Sequence, residues 1–245
     1  MSTLIISQQK VYWGGYDITG NLSSLALNFG AATPDATALG DTTRKVSAGG
    51  LFEASFSHEG YVDGGDTEYS DKLGFDAVGT GNLITVCVQT GAYGEVAYFT
   101  QNLHSEMSRP GTLGEVYKFS ANTMPSSGRV VRGTVMVPKS TITATGDGTA
   151  RQLGAVTATQ KVYAALHVFS SSGTSPTLDV TVESAPADAW VGAQTTRLTL
   201  TQATGITAEL KSVAGAITDE WWRVAYAIGG TATPTFSFAV VVGIL

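Results

Sequence analysis

The sequence predicts a mainly-β protein: an N-terminal β-barrel or sandwich with one short helix, followed by a C-terminal β-sandwich of jelly-roll or Ig-like type. Three observations carry this. Apolar and polar residues alternate with a period of two in segment after segment, the mark of strands with one face on a core. Gly, Pro, Asn and Asp separate those segments at short intervals, as antiparallel connections require. A helical pattern occurs in one place only. A chain of 245 residues accommodates one large β-domain or two small ones, and the composition shift after Pro138 places the division between 1–140 and 145–245.

In chain order, a first strand is expected over 10–18 and a second over 22–28, with Leu25 and Leu27 opposite Ser24 and Asn28. The chain then enters about twenty residues rich in small and polar types, longer than the 12–15 that compact domains usually leave without structure. This stretch holds Ala38-Leu39-Gly40-Asp41-Thr42 and the adjacent cations Arg44 and Lys45. An arm of this kind between two early strands suits a protein that grips a copy of itself. Residues 51–62 then alternate clearly, with Phe52, Ala54, Phe56 and Val62 on one face and Glu53, Ser55, Ser57 and Glu59 on the other.

A helix is expected from a cap at Asp66 or Thr67 to a stop at Gly79, burying Tyr69, Leu73, Phe75 and Val78. Asp63, Asp66, Glu68 and Asp71 cluster here, but their spacing is not that of an EF-hand, and a turn with a capped helix explains them without metal. Strands follow at 83–89, 97–108, 115–122 and 129–137. In 97–108, Ala97, Phe99, Leu103 and Met107 oppose Thr100, Asn102, His104, Glu106 and Ser108. Past the Thr- and Gly-rich segment 139–149, strands are expected at 151–157, 161–169, 177–183, 196–201, 206–212, 221–228 and 235–243. Ser172-Gly173-Thr174 and Gly229-Gly230 read as turns linking neighbours, and Pro176 and Pro234 as strand entries. Such short strands at regular intervals fit a sandwich or jelly roll.

Composition narrows the function classes. Charged residues make up 14%, well below the usual quarter or so. Two explanations stand together: a surface buried against neighbours, or simply a β-protein rich in Thr and Ser. The net charge of −6 and the lack of a basic patch exclude adhesive nucleic-acid binding. With a single cysteine, Cys87, no intramolecular disulfide is possible. No basic region followed by an apolar stretch opens the chain, so no secretion signal is expected. The apolar end FSFAVVVGIL, about ten residues, is too short to cross a bilayer and reads as a core strand.

No constellation carries chemistry. His58, His104 and His167 sit singly in alternating strands, with no nucleophile elbow beside them, and read as sheet-surface or half-buried imidazoles. Glu53 and Glu59 lie roughly 20 Å apart along one strand, beyond the carboxyl spacing of a glycosidase. No phosphate loop, dinucleotide fingerprint or zinc pattern is present. No catalytic residue, metal ligand or cofactor is expected, and the chain is not expected to be an enzyme. On a strand, Trp221 and Trp222 face opposite sides; one belongs to a core, and the other could be a surface aromatic that binds sugar or packs at an interface.

Several runs resemble one family. They are Tyr16-Asp17-Ile18-Thr19-Gly20, Leu39-Gly40-Asp41-Thr42, Gly49-Gly50-Leu51 and Phe56-Ser57-His58-Glu59-Gly60. Ala97-Tyr98-Phe99, Gly114-Glu115, Phe119-Ser120-Ala121 and Gly128-Arg129-Val130-Val131-Arg132-Gly133 continue the pattern. Over 8–138 the chain resembles the tail tube proteins of long-tailed, non-contractile bacteriophages. The remainder resembles β-domains carried by phage virion proteins.

The resemblance implies a structural virion protein whose hexameric rings stack into a tube around a lumen for double-stranded DNA, with no specific DNA binding and no membrane. It implies that the loop carrying Thr37, Leu39, Gly40, Asp41, Thr42, Arg44 and Lys45 reaches a neighbouring ring. Glu53, Ser55, Ser57 and Glu59 would then face the lumen, and the C-terminal domain would decorate the exterior. Partners would be further copies of the chain and tape measure, tail terminator and tail tip proteins, in a virion tail assembled in the bacterial cytoplasm. The rival expectations are a capsid decoration or head–tail connector protein, and a glycan-binding module at the host surface.

Overall fold

The structure, a computed structural model, describes residues 8–45, 51–64, 69–188, 190, 192 and 194–245. Its strands are β1 (Lys10–Trp13), β2 (Tyr16–Asp17), β3 (Leu22–Ala31), β4 (Phe52–Tyr61), β5 (Gly81–Cys87), β6 (Val96–Ser108) and β7 (Lys118–Ile142). They continue as β8 (Gly146–Asp147), β9 (Arg151–Gln152), β10 (Lys161–Ala185), β11 (Thr195–Thr199), β12 (Thr207–Ala214) and β13 (Trp221–Ile244). One short helical segment, a wide turn over Tyr69–Leu73 running into α1 (Gly74–Ala77), lies between β4 and β5. The protein is mainly β, as the alternation predicts.

Two compact units form. The first comprises Met1–Gly20, Asn82–Gln101 and Val130–Leu245; the second comprises Asn21–Gly81 and Asn102–Arg129. The chain passes from one to the other within β6 and β7. These bounds run differently from a division at 140–145. Pro138 opens no linker: β7 continues to Ile142 in antiparallel register with β13, and the ladder shifts between Val240↔Val137 and Phe238↔Ser140. A bulge of this kind accommodates a residue that lacks an N–H.

In the first unit, strands expected to be separate are continuous. Segments 161–169 and 177–183 belong to β10, and 221–228 and 235–243 to β13. The two are antiparallel partners from Val162↔Ile244 to Ala185↔Trp221, with register shifts between Val168 and Thr177. Ser172-Gly173-Thr174 and Gly229-Gly230 are therefore not hairpin turns but bends within this ladder, with Gly173, Ser175, Gly230, Ala232 and Thr233 at positive φ. The bend folds the ladder over on itself: Tyr226 and Phe238, twelve positions apart on one strand, meet edge to face at 5.4 Å. Laid straight, that separation would be about 40 Å.

The inner layer is buried on both faces. Val240 and Val242 of β13, with Val162, Leu166 and Val168 of β10, point into a core shared with Leu178, Val180, Val182 and Trp222. The alternate residues Ala239, Val241 and Ala165 point into a second core with Tyr12, Leu83, Cys87, Phe99, Val131 and Val135. This is why the final segment is an unbroken apolar run rather than an alternating one. The expected strand over 10–18 is instead a tight hairpin, Trp13↔Tyr16, turning at Gly14-Gly15. A side chain at Gly15 would collide with Ile206 and the Val168 carbonyl.

In the second unit β4 is the central strand, pairing with β3 from Leu22↔Gly60 to Ala31↔Phe52 and with β7 from Phe56↔Thr123 to Tyr61↔Lys118. The helical segment departs from expectation in its buried side, since Phe75 and Val78 are exposed. Ser70, Gly74 and Ala77, one helical face at i, i+4 and i+7, are buried, and small residues allow close backbone approach. The expected caps Asp66, Thr67 and Glu68 lie outside the described residues. In β6 the buried phase switches after Phe99: Thr100, Asn102 and His104 are buried and Leu103 is exposed, the reverse of the expected facing.

Candidate surface for self-assembly

The second unit brings together most of the residues singled out from the sequence. On β4, Phe56, His58 and Gly60 are buried while Glu53 and Glu59 are exposed and Ser55 and Ser57 half-buried. Register extends this polar face across neighbours: Ser24, Glu59 and Ser120 lie in one row, and Ala26, Ser57 and Asn122 in the next. Asn28 Nδ2 donates to Ser55 Oγ at 3.2 Å, and Asn122 Nδ2 to Glu106 Oε2 at 3.3 Å. The four residues expected to share a face do so, and the face carries carboxylates.

Its opposite side contains an unexpected polar interior. His58 and His104 are both buried, their rings 6.5 Å apart, with Phe119 edge-on to His58 at 6.0 Å. Burial, and secondarily His104, pushes the His58 imidazole down to about 3; burial also lowers His104. Asn102 Nδ2 donates to Thr123 Oγ1 at 2.8 Å, and that hydroxyl donates to the Phe56 carbonyl. The third histidine, His167 of β10, is likewise buried. Its Nδ1–H donates to the Gly14 carbonyl at 2.5 Å, so Nε2 accepts from Thr85 Oγ1 at 2.7 Å, and burial lowers its pKa to about 4. All three imidazoles are interior, not the surface or half-buried groups expected: their strands turn the polar phase inward.

The arm between β3 and β4 is built, not slack, over its described part. The Ala36 N–H donates to the Lys45 carbonyl at 3.0 Å, and the Lys45 N–H donates to Thr37 Oγ1 at 3.0 Å. Asp35 accepts from the Thr37 N–H at 2.9 Å and pairs with Arg44 at 3.4 Å; Asp41 pairs with Lys45 at 2.5 Å. Hydrogen bonds from Thr37 hold the Asp35 carboxyl below the usual carboxylate range, and Lys45 does the same for Asp41. At the tip, Asp41 N–H bonds back to the Ala38 carbonyl at 3.0 Å, with Gly40 at φ 105°. That turn carries Leu39 fully into solvent, 107% exposed; Thr42 follows it.

Sequence reasoning missed a second tip of the same design. Between β6 and β7, Glu115 N–H bonds to the Thr112 carbonyl at 3.0 Å, with Gly114 at φ 91°, and Leu113 is 104% exposed. The shared signal was Thr-(Ala)-Leu-Gly-acidic, present in both loops. A third feature is an open groove of about 580 Å³, with Phe29, Phe52, Ala54, Met124 and Pro125 on one side and Asn28, Glu53 and Ser55 of the polar face on the other.

The two tryptophans separate as alternation requires. Trp222 is fully buried in the first unit's core and donates from Nε1 to the Gly154 carbonyl at 2.9 Å, so it is no surface platform; Trp221 is half-buried. The exposed-side aromatic contact is instead Trp190, 4.6 Å beneath the Arg223 guanidinium, which also binds Glu183 and Asp147. Asp63 and Asp71, from the acidic cluster, are engaged by Asn21 at 2.6 Å and Arg109 at 2.8 Å. Among the described residues no group of acidic, His or Cys side chains is arranged to hold a metal.

No protein-family model and no curated protein matches the sequence. Solved structures similar to it include a chain of the virion of a native gene transfer agent particle, at 18% identity and TM-score 0.39, over 52% of this chain and 97% of that one. Another is the sheath/tube terminator of an extracellular contractile injection system, at 14% and 0.42, over 54% and 97%. The Dit protein of SPP1, a hub of the adsorption apparatus, aligns at 12% and 0.39 over 98% and 100%.

Proposed function

We propose that the chain is a non-enzymatic structural protein of a virion tail, assembling as stacked rings into the tube through which double-stranded DNA passes. The observation that carries this reading is the second unit's sheet. One face is polar and carboxylate-bearing through Glu53, Ser55, Ser57 and Glu59, while large apolar side chains stand exposed at its loops and edges. A soluble monomer rarely leaves such apolar surface uncovered. A carboxylate-lined lumen lets DNA pass without the phosphate contacts that dominate non-specific affinity.

The motifs quoted from the sequence support the tube, and their resemblance to tail tube proteins implies rings of six. The arm with Thr37, Leu39, Gly40, Asp41, Thr42, Arg44 and Lys45 would contact the next ring. Tape measure, terminator and tip proteins would be the remaining tail partners. Electron microscopy and sedimentation of the purified full chain test the reading. Rings or tubes with a central channel are expected; a monomer at every concentration from micromolar to millimolar would refute it.

A further inference from the structure

The second unit has a projecting apolar tip at one end of its sheet and, at the other, a groove with one apolar side. The tip is Leu113, carried by the Thr112–Glu115 turn. It leads into β7 beside the Tyr61 end of β4, where Tyr61 pairs with Lys118 and the Val62 N–H donates to the Tyr117 carbonyl. The groove lies at the Phe52 end, between Phe29, Phe52, Ala54, Met124 and Pro125, with Asn28, Glu53 and Ser55 forming its polar side. Phe29 and Met124 are about half exposed, at 46% and 52%. Along β4 the two ends stand roughly 30 Å apart, so a chain cannot fill its own groove with its own tip.

Charge separates this tip from the Leu39 tip. The arm neutralises itself through Asp41–Lys45 and Asp35–Arg44. The carboxylate of Glu115, two residues from Leu113, makes no hydrogen bond or ion pair among the described residues. At the groove, the Arg129 guanidinium lies 4.8 Å over the Phe52 ring, and it too has no carboxylate partner among them. A leucine with an unpaired anion beside it thus matches the apolar side of a groove, formed by Phe29, Phe52 and Met124, with the Arg129 cation at that side's rim and Glu53 on the opposite, polar side.

We infer that the Leu113 tip of one copy seats in the Phe29–Phe52–Met124 groove of the next, with Glu115 meeting Arg129. This rests on the self-assembly reading above and names the contact that performs it. The contact joins different surfaces of identical chains, head to tail. Such contacts do not close on a pair; they propagate into rings or filaments. Burial of the leucine supplies affinity, and the ion pair at the rim sets orientation and partner choice.

Charge reversal tests it on the full chain, by sedimentation and electron microscopy. Leu113→Asp, Glu115→Arg and Arg129→Glu should each weaken association about tenfold or more, as central contacts do, with thermal unfolding unchanged. The double variant Glu115→Arg with Arg129→Glu should regain association to within about threefold of wild type, since it restores the pair in reverse. In a second arm, Leu113→Cys with Met124→Cys should give intermolecular disulfide ladders on oxidation, and Leu39→Cys with Met124→Cys should not. Wild-type assembly untouched by Leu113→Asp, or ladders from the Leu39 pair alone, would overturn the contact while leaving tube formation intact. A wild-type chain that never assembles overturns both.

Discussion

The two units use the same alternating strands to opposite ends. In the first, the inner layer of β10 and β13 is covered on both sides, and even Trp222, the largest fully buried side chain among the described residues, is sealed. Among the described residues, Ile206 is its only large apolar side chain that is exposed; Phe29, Leu39, Leu51, Tyr61, Phe75, Val78, Leu103, Leu113, Val116, Tyr117 and Met124 all belong to the second. The second unit buries histidines, asparagine and threonine and turns leucines outward. Folding explains the first pattern. The second fits the proposed assembly, in which part of the hydrophobic surface is reserved for another chain.

The sharpest way to break this comparison is to remove the first unit's inner layer. A chain stopped at residue 140 keeps Val131 and Val135 but loses Ala239 and Val241, which pack with them, and the whole β13 ladder. It should show no cooperative thermal transition. A cooperatively folded 1–140 would instead make 140–145 a true domain boundary.

Single side chains give the next effect. Trp222→Ala should destabilise the protein by about 3–5 kcal/mol, the usual cost of emptying a large core site. Leu39→Ala, at a fully exposed tip, should stay within about 0.5 kcal/mol in the unassembled chain. Denaturant midpoints of the two variants decide it; equal losses would erase the distinction between sealed and reserved surface.

Acid sharpens the comparison because both units bury neutral imidazoles. Above pH 6.5 the folded and unfolded chains both hold them uncharged. Below it the unfolded chain takes up protons that folded His167, at about 4, and His58, at about 3, do not. Stability therefore falls as pH drops from 6.5 toward 4, by up to about 1.4 kcal/mol per pH unit for each histidine. Urea midpoints at pH 7, 6 and 5 measure the slope, and His167→Gln should flatten it. A flat profile down to pH 4 would contradict the burial assigned to these rings.

The smallest effect on folding belongs to the polar face. Glu53→Lys with Glu59→Lys changes exposed positions and should shift stability by no more than about 0.5 kcal/mol. In tubes it should convert a face that repels phosphate into one that retains DNA, with a salt-dependent affinity absent from wild type. DNA binding measured on assembled particles at two ionic strengths checks this; indifference to DNA would contradict the proposed lumen placement.

Much of this organisation was legible in the sequence, and the failures share a cause. Period two found nearly every strand and placed Glu53, Ser55, Ser57 and Glu59 on one face, because that facing depends only on pleating. Period two cannot say where a strand ends. Glycine at 173 and 229–230 reads as a turn whether the chain reverses or merely bends, and only the partner strand decides. The Gly14-Gly15 hairpin was readable from local turn chemistry but hidden inside an apparently continuous segment. Facing failed where apolar residues were not core: Leu103, Phe75 and Val78 are outside, while Asn102 and His104 are inside. Which tip carries an unpaired charge is likewise a three-dimensional fact, since Glu115 and Asp41 occupy equivalent places in their turns.

Hydrogen exchange on assembled and dissociated protein tests the central claim most directly, because it reads both units in one experiment. On assembly, amides at 35–45 and 109–117 and along the Phe52 end of β4 should gain protection. Those of β10 and β13, already sealed within the chain, should be unchanged. Gains confined to β10–β13, with the second unit's tips exchanging as freely as before, would contradict the division into a self-sufficient scaffold and a surface reserved for the next copy.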